Sequence, residues 1–121
     1  MRIMGGAELL AQIAVSAAVY AMDKPYDYLV PQALETQLQP GMRVTIPFGR
    51  GNCRQEGMVL ALADGTADGL KCVEKILDEE PVLSQEQLRL AAFLRERYFC
   101  TFYDAVRAIL PAGVWYAVRM R

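Results

Sequence analysis

Residues 40–49 read PGMRVTIPFG, a turn followed by a short β-strand. Pro-Gly is a strong turn signal. After it, Val44, Ile46 and Phe48 alternate with residues that suit the opposite face of a strand. Pro47 has no backbone N–H to donate, so it predicts a strand end or a sheet edge. The stretch therefore predicts a half-buried strand that runs directly into a glycine-rich loop.

Further β-strands are predicted on both sides of this one. They are the alternation Ile13-Val15-Ala17-Val19 and residues 26–30, 58–63 and 71–77. Several short strands joined by Gly and Pro turns are typical of a small barrel. Residues 11–80 are therefore predicted to form a small β-barrel, with residues 1–10 as an N-terminal extension.

The last third of the chain is predicted to be helical. Ser84 and Gln87 have the spacing of a capping box, in which each side chain bonds to the other residue's backbone N–H. In the helix that follows, Leu90, Leu94 and Tyr98 form a stripe that is expected to face a core.

A second helix is predicted to begin after Thr101 and to stop at Pro111. Its apolar stripe consists of Phe102, Ala105, Val106, Ile109 and Leu110. Residues 81–113 are predicted to be the helical part of the same domain, and residues 114–121 the start of a linker to a downstream domain. The predicted fold class is mainly β or α+β, a small barrel followed by two C-terminal helices.

Composition limits the chemistry that this chain can carry out. It has 121 residues, of which 54% are hydrophobic, enough for one domain with a real core. It contains no histidine, which excludes a Ser-His-Asp triad and a zinc site with a His ligand. The phosphate-loop signature is absent from the sequence, and the three cysteines are widely spaced. We expect no catalytic residues, no metal site and reduced thiols.

One apolar stretch needs comparison with a membrane segment. Residues 9–22 are mostly apolar, but they are shorter than the roughly 20 residues that cross a bilayer. Glu8 lies where a signal peptide would carry basic residues. A buried strand is the expected structure, and no membrane partner is predicted.

Three separate segments carry the side chains most suited to binding. The first is Tyr26-Asp27-Tyr28, in which an acid interrupts a strand, although strands disfavour Asp. The second is Gly49 in the loop after the strand at 43–48, and the third is Lys71. Alternation places Asp27 on the opposite face from the two tyrosines. Read structurally, Asp27 would be an edge residue or a turn cap, and the glycine loop an ordinary hairpin.

If these segments meet at one end of the barrel, they form a site for the end of a nucleotide chain. An aromatic ring stacks on any base, and Lys or Arg binds a phosphate. Arg43, Arg50 and Arg54 lie in or beside the same loops and are predicted as phosphate contacts. Charges nearly cancel, with 13 Lys and Arg against 14 Asp and Glu, so any nucleic-acid binding must come from such a local patch.

The order of these motifs resembles a known family. The strings are PYDYLVP at 25–31, PGMRVTIPFG at 40–49, LKCVEKILD at 70–78 and AILP at 108–111. Together they resemble the amino-terminal DNA-binding domain of the bacterial replication-restart helicase PriA, or primosomal protein N′. The likeness runs from about residue 15 to residue 111.

The resemblance implies an OB-like barrel that binds the 3′ end of a DNA strand, as on the nascent leading strand of a stalled fork. In the family, the 3′-terminal pocket uses an Asp after an aromatic residue, the Gly of Pro-Phe-Gly and a later Lys. Those roles fall on Asp27, Gly49 and Lys71, with Tyr26 where the family often has Phe. Loop lengths vary in the family at 50–56 and 32–39.

The resemblance also implies a larger parent protein. That parent is an ATP-dependent 3′-to-5′ DNA helicase of primosome assembly in the bacterial cytoplasm, associated with the nucleoid. Its ATP, Mg and Zn sites would lie beyond residue 121, so no cofactor is expected here. Expected partners are single-stranded or forked DNA with a free 3′ end, the rest of the helicase, other primosome proteins and single-stranded DNA-binding protein.

A second class of function stays open. The chain could be a protein-interaction barrel that docks neighbouring domains without binding DNA. The slight net acidity favours this alternative, whereas the ordered motifs favour DNA binding.

Overall fold

An antiparallel sheet precedes two helices along the chain. The computed structural model describes residues 8–16, 25–66, 68–98 and 100–109. The strands and helices are β1 (Glu8–Val15), β2 (Tyr26–Leu29), β3 (Arg43–Phe48), β4 (Cys53–Gly65), β5 (Lys75–Ile76), α1 (Gln85–Tyr98) and α2 (Phe102–Ile109). A short 3₁₀ turn at Gln32–Leu34 links β2 to β3. The architecture agrees with the predicted OB-like, mainly β fold.

The sheet has the strand order β2-β1-β4-β3-β5 and is not closed by a continuous ladder. The chain ahead of β5 passes beside β2, where Cys72 forms one parallel bridge with Leu29. At this bridge the Leu29 N–H donates to the Lys71 carbonyl at 2.8 Å, and the Val73 N–H donates to the Leu29 carbonyl at 2.9 Å. One segment therefore touches both β2 and, through β5, the opposite side of the sheet.

The strand bounds differ from the predicted ones, most clearly in β1, β4 and the segment that contains β5. β1 begins at Glu8, so three residues of the predicted N-terminal extension belong to the sheet. β4 begins at Cys53 rather than at residue 58, because the mostly polar residues at its start pair in register with β3. The predicted strand at 71–77 is reduced to the Cys72 bridge and β5, since its two halves pair with different strands. Ala17 and Val19 lie outside the described residues.

Two interior strands of the sheet, β1 and β4, contribute to hydrophobic cores on both faces. Ile13 and Val59 belong to the barrel core with Val44 and other buried residues. Their neighbours Ala14 and Met58 belong to a second core with the two helices. This double burial explains why β1 is apolar at successive positions instead of strictly alternating.

Both predicted helix starts are confirmed by their caps. The Ser84 N–H donates to Gln87 Oε1 at 2.9 Å, and the Gln87 N–H donates to Ser84 Oγ at 3.1 Å. At α2, the Asp104 N–H donates to Thr101 Oγ1 at 3.0 Å. These side chains satisfy N–H groups that have no partner within the first turn of a helix.

The buried face of α1 is not the predicted one. Leu88 and Ala91 are buried, whereas Leu90 is 45% exposed and Tyr98 is 67% exposed. Leu94 only packs against the edge of the second core. The predicted stripe is therefore wrong, because two stripes with helical spacing exist and the other one is buried in the second core.

The stripe of α2 is confirmed as far as the described residues reach. Ala105 and Val106 are buried, and Phe102 and Ile109 pack beside them. Leu110, the predicted stop at Pro111 and the predicted linker at 114–121 lie outside the described residues. Within the described part of the chain, no helix is long and apolar enough to cross a membrane.

The turn at Pro40-Gly41, which precedes β3, packs directly against the segment that leads into α1. Gly41 has φ of +92°, and a Cβ there would lie 2.1 Å from the Leu83 carbonyl oxygen. Its own carbonyl accepts a hydrogen bond from the Val82 N–H at 2.9 Å. Both the backbone conformation and the close approach therefore require glycine at this position.

Candidate nucleic-acid interface

The strand ends of β2 and β3 meet the segment before β5 at one open cavity of about 510 Å³. We name this cavity the strand-end pocket. Among its lining residues are the five that were predicted: Tyr26, Asp27, Tyr28, Gly49 and Lys71. The remaining lining residues are Pro25, Phe48, Gly69 and Leu70, which sequence reasoning did not select. The fold thus brings together three segments that are far apart in sequence.

Asp27 lies on an edge strand with an exposed side chain. It pairs with Gln12 of β1, and its neighbour Tyr28 points to the opposite, buried face. The edge position agrees with the purely structural role considered for Asp27, that of an edge residue. Its place in the wall of the pocket is what the binding interpretation required, so Asp27 satisfies both and a binding measurement separates them.

Tyr28 is buried beneath the pocket, with 4% of its surface exposed. Its hydroxyl donates a hydrogen bond to the Pro47 carbonyl oxygen at 2.7 Å. Burial, with a smaller contribution from Tyr26, raises the pKa of Tyr28 to about 12, so the phenol keeps its proton. The prediction that Tyr28 could offer a stacking face is wrong, because its ring is packed in the barrel core.

The aromatic wall of the pocket consists of Tyr26 and Phe48. Their ring centroids are 5.3 Å apart, and their planes meet at 78°, an edge-to-face contact. Both side chains are half-buried, so each keeps some open surface. The alternation of β3 placed Phe48 with the core residues Val44 and Ile46, which is why sequence reasoning did not assign it to the site.

Lys71 and Gly49 also line the pocket. The Lys71 ammonium donates to the Gly49 carbonyl oxygen at 2.7 Å, and both residues are exposed. Gly49 has φ of +79°, which favours glycine, and a Cβ built there meets no atom within 4 Å. Gly69 has the same features, with φ of +77°. The Asp68-Gly69 turn signal could have pointed to it.

Arg43 is not a phosphate contact, contrary to prediction. Its side chain is completely buried, and its guanidinium binds Asp78 through Nη2 at 2.7 Å and through Nε at 2.9 Å. The Arg43 backbone N–H also donates to the same carboxylate at 2.9 Å. A cation enclosed in this way is part of the folded core and does not reach a phosphate in solvent.

Arg50 and Arg54 are exposed but do not line the strand-end pocket. The Arg54 side chain is 77% exposed and donates through Nε to Glu74 at 3.0 Å. Arg50 follows Gly49 in the turn between β3 and β4. Their contacts to phosphates farther along a bound strand stay predictions.

A larger cavity of about 840 Å³ lies beside β5. It contains none of the predicted pocket residues, and three of its lining residues are the acids Glu56, Asp78 and Glu79. Asp78 is paired with Arg43, but Glu56 and Glu79 still outnumber the one lining lysine, Lys75, and this excess of acids disfavours a nucleotide phosphate.

OB-like domains bind oligonucleotides on the sheet and on the loops beside it, and the strand-end pocket lies in such a position. The fold and the pocket together define an OB-like nucleic-acid-binding domain. Residues 12–111 match the family model described as the 3′ DNA-binding domain (3′BD) of PriA. The chain therefore belongs to the PriA 3′ DNA-binding domain family.

Curated relatives agree with this assignment. The chain is 33% identical over 107 residues to the replication restart protein PriA of Bacillus subtilis, a match that covers 86% of this chain and 13% of that protein. It is 36% identical over 94 residues to the probable replication restart protein PriA of Mycobacterium tuberculosis, which covers 75% of this chain and 14% of that protein. The chain spans about one seventh of the length of these relatives.

Proposed function

We propose that this chain binds the 3′ terminus of a DNA strand in the strand-end pocket, as on the nascent strand of a stalled replication fork. The observation that supports this proposal is the meeting of Tyr26, Asp27, Gly49 and Lys71 around one open cavity. These residues come from β2, from the turn after β3 and from the segment before β5. The pocket volume of about 510 Å³ can take one terminal nucleotide.

In this proposal Asp27 distinguishes a free 3′ end from a continued strand. Its exposed carboxylate accepts a hydrogen bond from the 3′-hydroxyl, and hydrogen bonds to charged groups are the stronger kind. A 3′-phosphate or an onward phosphodiester would bring a second negative charge to the same place. Specificity therefore comes largely from rejection of the continued chain.

The other residues bind features that every strand end shares. Lys71 holds the nearest phosphate, and the open left-handed turn at Gly49 lets a backbone group approach the nucleotide. Tyr26 stacks on the terminal base without reading its identity, because every base has a π-face.

The role of the whole protein is a wider proposal, since the chain spans only part of its relatives. We infer that the parent protein is an ATP-dependent 3′-to-5′ helicase that acts in replication restart in the bacterial cytoplasm, near the nucleoid. The ATP, Mg and Zn sites belong to the remainder of that protein. Its partners are forked DNA, other primosome proteins and single-stranded DNA-binding protein.

A protein-interaction barrel is the second candidate function. The observation that favours it is the exposure of large apolar side chains on α1, with Leu90 45% exposed and Phe93 55% exposed. The exposed residues of α1 do not line the strand-end pocket. Substitutions in the pocket therefore test DNA binding without changing the surface of α1.

The test is a fluorescence-anisotropy titration with oligonucleotides that end in a 3′-hydroxyl or a 3′-phosphate. Asp27→Ala is expected to weaken 3′-hydroxyl binding by about tenfold, the lower end of what a hydrogen bond to a charged group contributes, because the side chain is exposed. It is also expected to remove the preference over the 3′-phosphate. Asp27→Asn should keep part of the affinity, since an acceptor remains, but lose the preference.

Glu80→Ala is the matched control, since it removes one exposed acid that does not line the pocket. It should leave the preference for a 3′-hydroxyl unchanged. If Asp27→Ala keeps the full preference, the carboxylate is structural and the assignment of the pocket is wrong. If the unaltered chain binds neither oligonucleotide, the interaction barrel is the better proposal.

A further inference from the structure

The two walls of the strand-end pocket belong to strands that are not neighbours. Asp27 lies on β2 and Gly49 directly follows β3, and two other strands separate β2 from β3 in the sheet. Because a sheet twists and flexes across several strands, the ladder alone does not set the distance between these walls. Direct contacts across the barrel must contribute to that distance.

Three described contacts join these walls: the Tyr26–Phe48 ring contact, Lys71, which bonds to Leu29 and to Gly49, and a partly buried hydrogen bond from Tyr28. Its hydroxyl donates to the Pro47 carbonyl oxygen at 2.7 Å, from a ring that is 4% exposed. Tyr28 is the next residue after Asp27, and Pro47 lies two residues before Gly49. The bond therefore connects the backbone on either side of the pocket close to both functional positions.

The acceptor of this bond also has a local reason to need a donor. β5 pairs with β3 at Val44 and Thr45, so in the described part of the chain the β3–β5 ladder ends before Pro47 is reached. The phenol supplies a hydrogen bond in the region beyond the end of this ladder. With its pKa raised to about 12, Tyr28 stays a donor throughout the pH range in which DNA binding is measured.

We propose that Tyr28 is a positioning residue that sets the width of the strand-end pocket through its hydrogen bond to Pro47, and so controls discrimination between a 3′-hydroxyl and a 3′-phosphate. This inference rests on the proposed function of the pocket. In this role the Tyr28 hydroxyl acts through the Pro47 carbonyl, to which it donates, and not through the nucleotide. A pocket that is free to widen accepts the larger, more charged terminus, because Asp27 then repels it from farther away.

Tyr28→Phe tests this proposal, since it removes one oxygen and preserves the ring in the core. The ratio of the dissociation constants for 3′-phosphate and 3′-hydroxyl oligonucleotides is expected to fall about twofold to twelvefold, because a net hydrogen bond of this kind is worth about 0.5–1.5 kcal/mol. The loss is expected to arise from weaker 3′-hydroxyl binding and firmer 3′-phosphate binding together.

Tyr103→Phe is the matched control. Tyr103 is also a buried tyrosine, 1% exposed, and its hydroxyl donates to Glu56 in the helix-facing part of the molecule, away from the pocket. This variant should lower the melting temperature but leave the ratio of dissociation constants unchanged. The pair of variants separates loss of stability from loss of positioning.

A second measurement tests the geometry in the absence of DNA. The backbone amide signals of Asp27 and Gly49 in the nuclear magnetic resonance spectrum of the free chain should shift with Tyr28→Phe and stay in place with Tyr103→Phe. Unchanged signals and an unchanged ratio would overturn the positioning role. If Asp27→Ala still abolishes the preference in that case, the proposed function survives and only this inference fails. A chain that shows no preference before substitution overturns both.

Discussion

Two basic side chains connect β3 to the chain around β5, one in the buried interior and the other at the exposed surface. At the start of β3, Arg43 is completely buried and binds Asp78 through two side-chain nitrogens. Beyond the end of β3, Lys71 is exposed and donates to the Gly49 carbonyl oxygen. Between them, β3 pairs with β5 at Val44 and Thr45.

The difference between these two contacts is one of accessibility. The Arg43 guanidinium has no open surface, so its charge is used within the protein. The Lys71 ammonium donates to one carbonyl oxygen, and Lys71 lines the open strand-end pocket. Surroundings, and not residue type, separate the structural cation from the candidate binding cation.

Removal of one partner of the buried ion pair has the largest expected effect. Arg43→Ala leaves the buried Asp78 carboxylate without its counter-charge, and such changes cost about 3–5 kcal/mol of the free energy of unfolding. Urea denaturation measures this loss. The double variant Arg43→Met with Asp78→Leu should recover most of it, because apolar residues of similar size replace such pairs well. A loss of less than about 1 kcal/mol would mean that solvent reaches the pair.

High pH is expected to lower the free energy of unfolding through the ionisation of Tyr28. The pKa of Tyr28 in the folded protein is about 12, above the ordinary value of 10 in the unfolded chain. Its contribution is therefore fully present below pH 10 and is lost as the pH rises through 12, by roughly 2–3 kcal/mol for two pKa units. Subtracting the unfolding free energies of Tyr28→Phe from those of the unaltered chain isolates this loss. A difference that is constant from pH 9 to pH 12 would contradict it.

Tyr26→Ala removes one of the two aromatic rings, Tyr26 and Phe48, that line the pocket beside Tyr28. Binding should weaken by about 1–3 kcal/mol, and equally for all four terminal bases. Anisotropy titrations with four oligonucleotides that differ only in the last base measure this effect. Tyr98→Ala is the control, because Tyr98 is 67% exposed on α1 and does not line the pocket. A loss confined to one base would indicate direct reading of its edge.

Lys71→Ala has the smallest expected effect on the fold and sharpens the contrast with Arg43. The free energy of unfolding should change far less than with Arg43→Ala, because water can replace the exposed hydrogen bond that Lys71 makes. DNA binding should weaken for both 3′ termini, and the slope of log K against log salt should become shallower by about 0.7 for one lost phosphate. Lys75→Ala, an exposed lysine on β5 outside the strand-end pocket, should leave that slope unchanged.

Local patterns predicted most of the secondary structure because local forces determine it. The capping pairs Ser84–Gln87 and Thr101–Asp104 involve neighbours in sequence, so their geometry follows from the spacing alone. The start of β4 was missed because its residues 54–56 are polar and read as a loop. Their strand conformation depends on pairing with β3, which is a contact between distant segments.

The candidate site was predicted in part for a similar reason. Asp27 and Lys71 were selected because the ordered motifs resemble a family. In addition, Asp27 is an unusual residue for a strand, and Lys71 lies at the start of a predicted strand. Phe48 was assigned to the core, since alternation records which face of a strand a residue occupies but not where that face ends. The open surface of Phe48 exists only because the pocket begins at the end of β3.

The sequence by itself determined the order of strands and helices, the caps and the membership in a DNA-binding family, because these depend on neighbouring residues and on their order along the chain. Only the tertiary structure decided which face of α1 is buried, that the Tyr28 ring is buried in the barrel core, and that Arg43 is enclosed while Lys71 is exposed. The physical reason is that burial depends on which distant segments cover a side chain. Burial in turn sets whether a charge or a ring is available to a ligand.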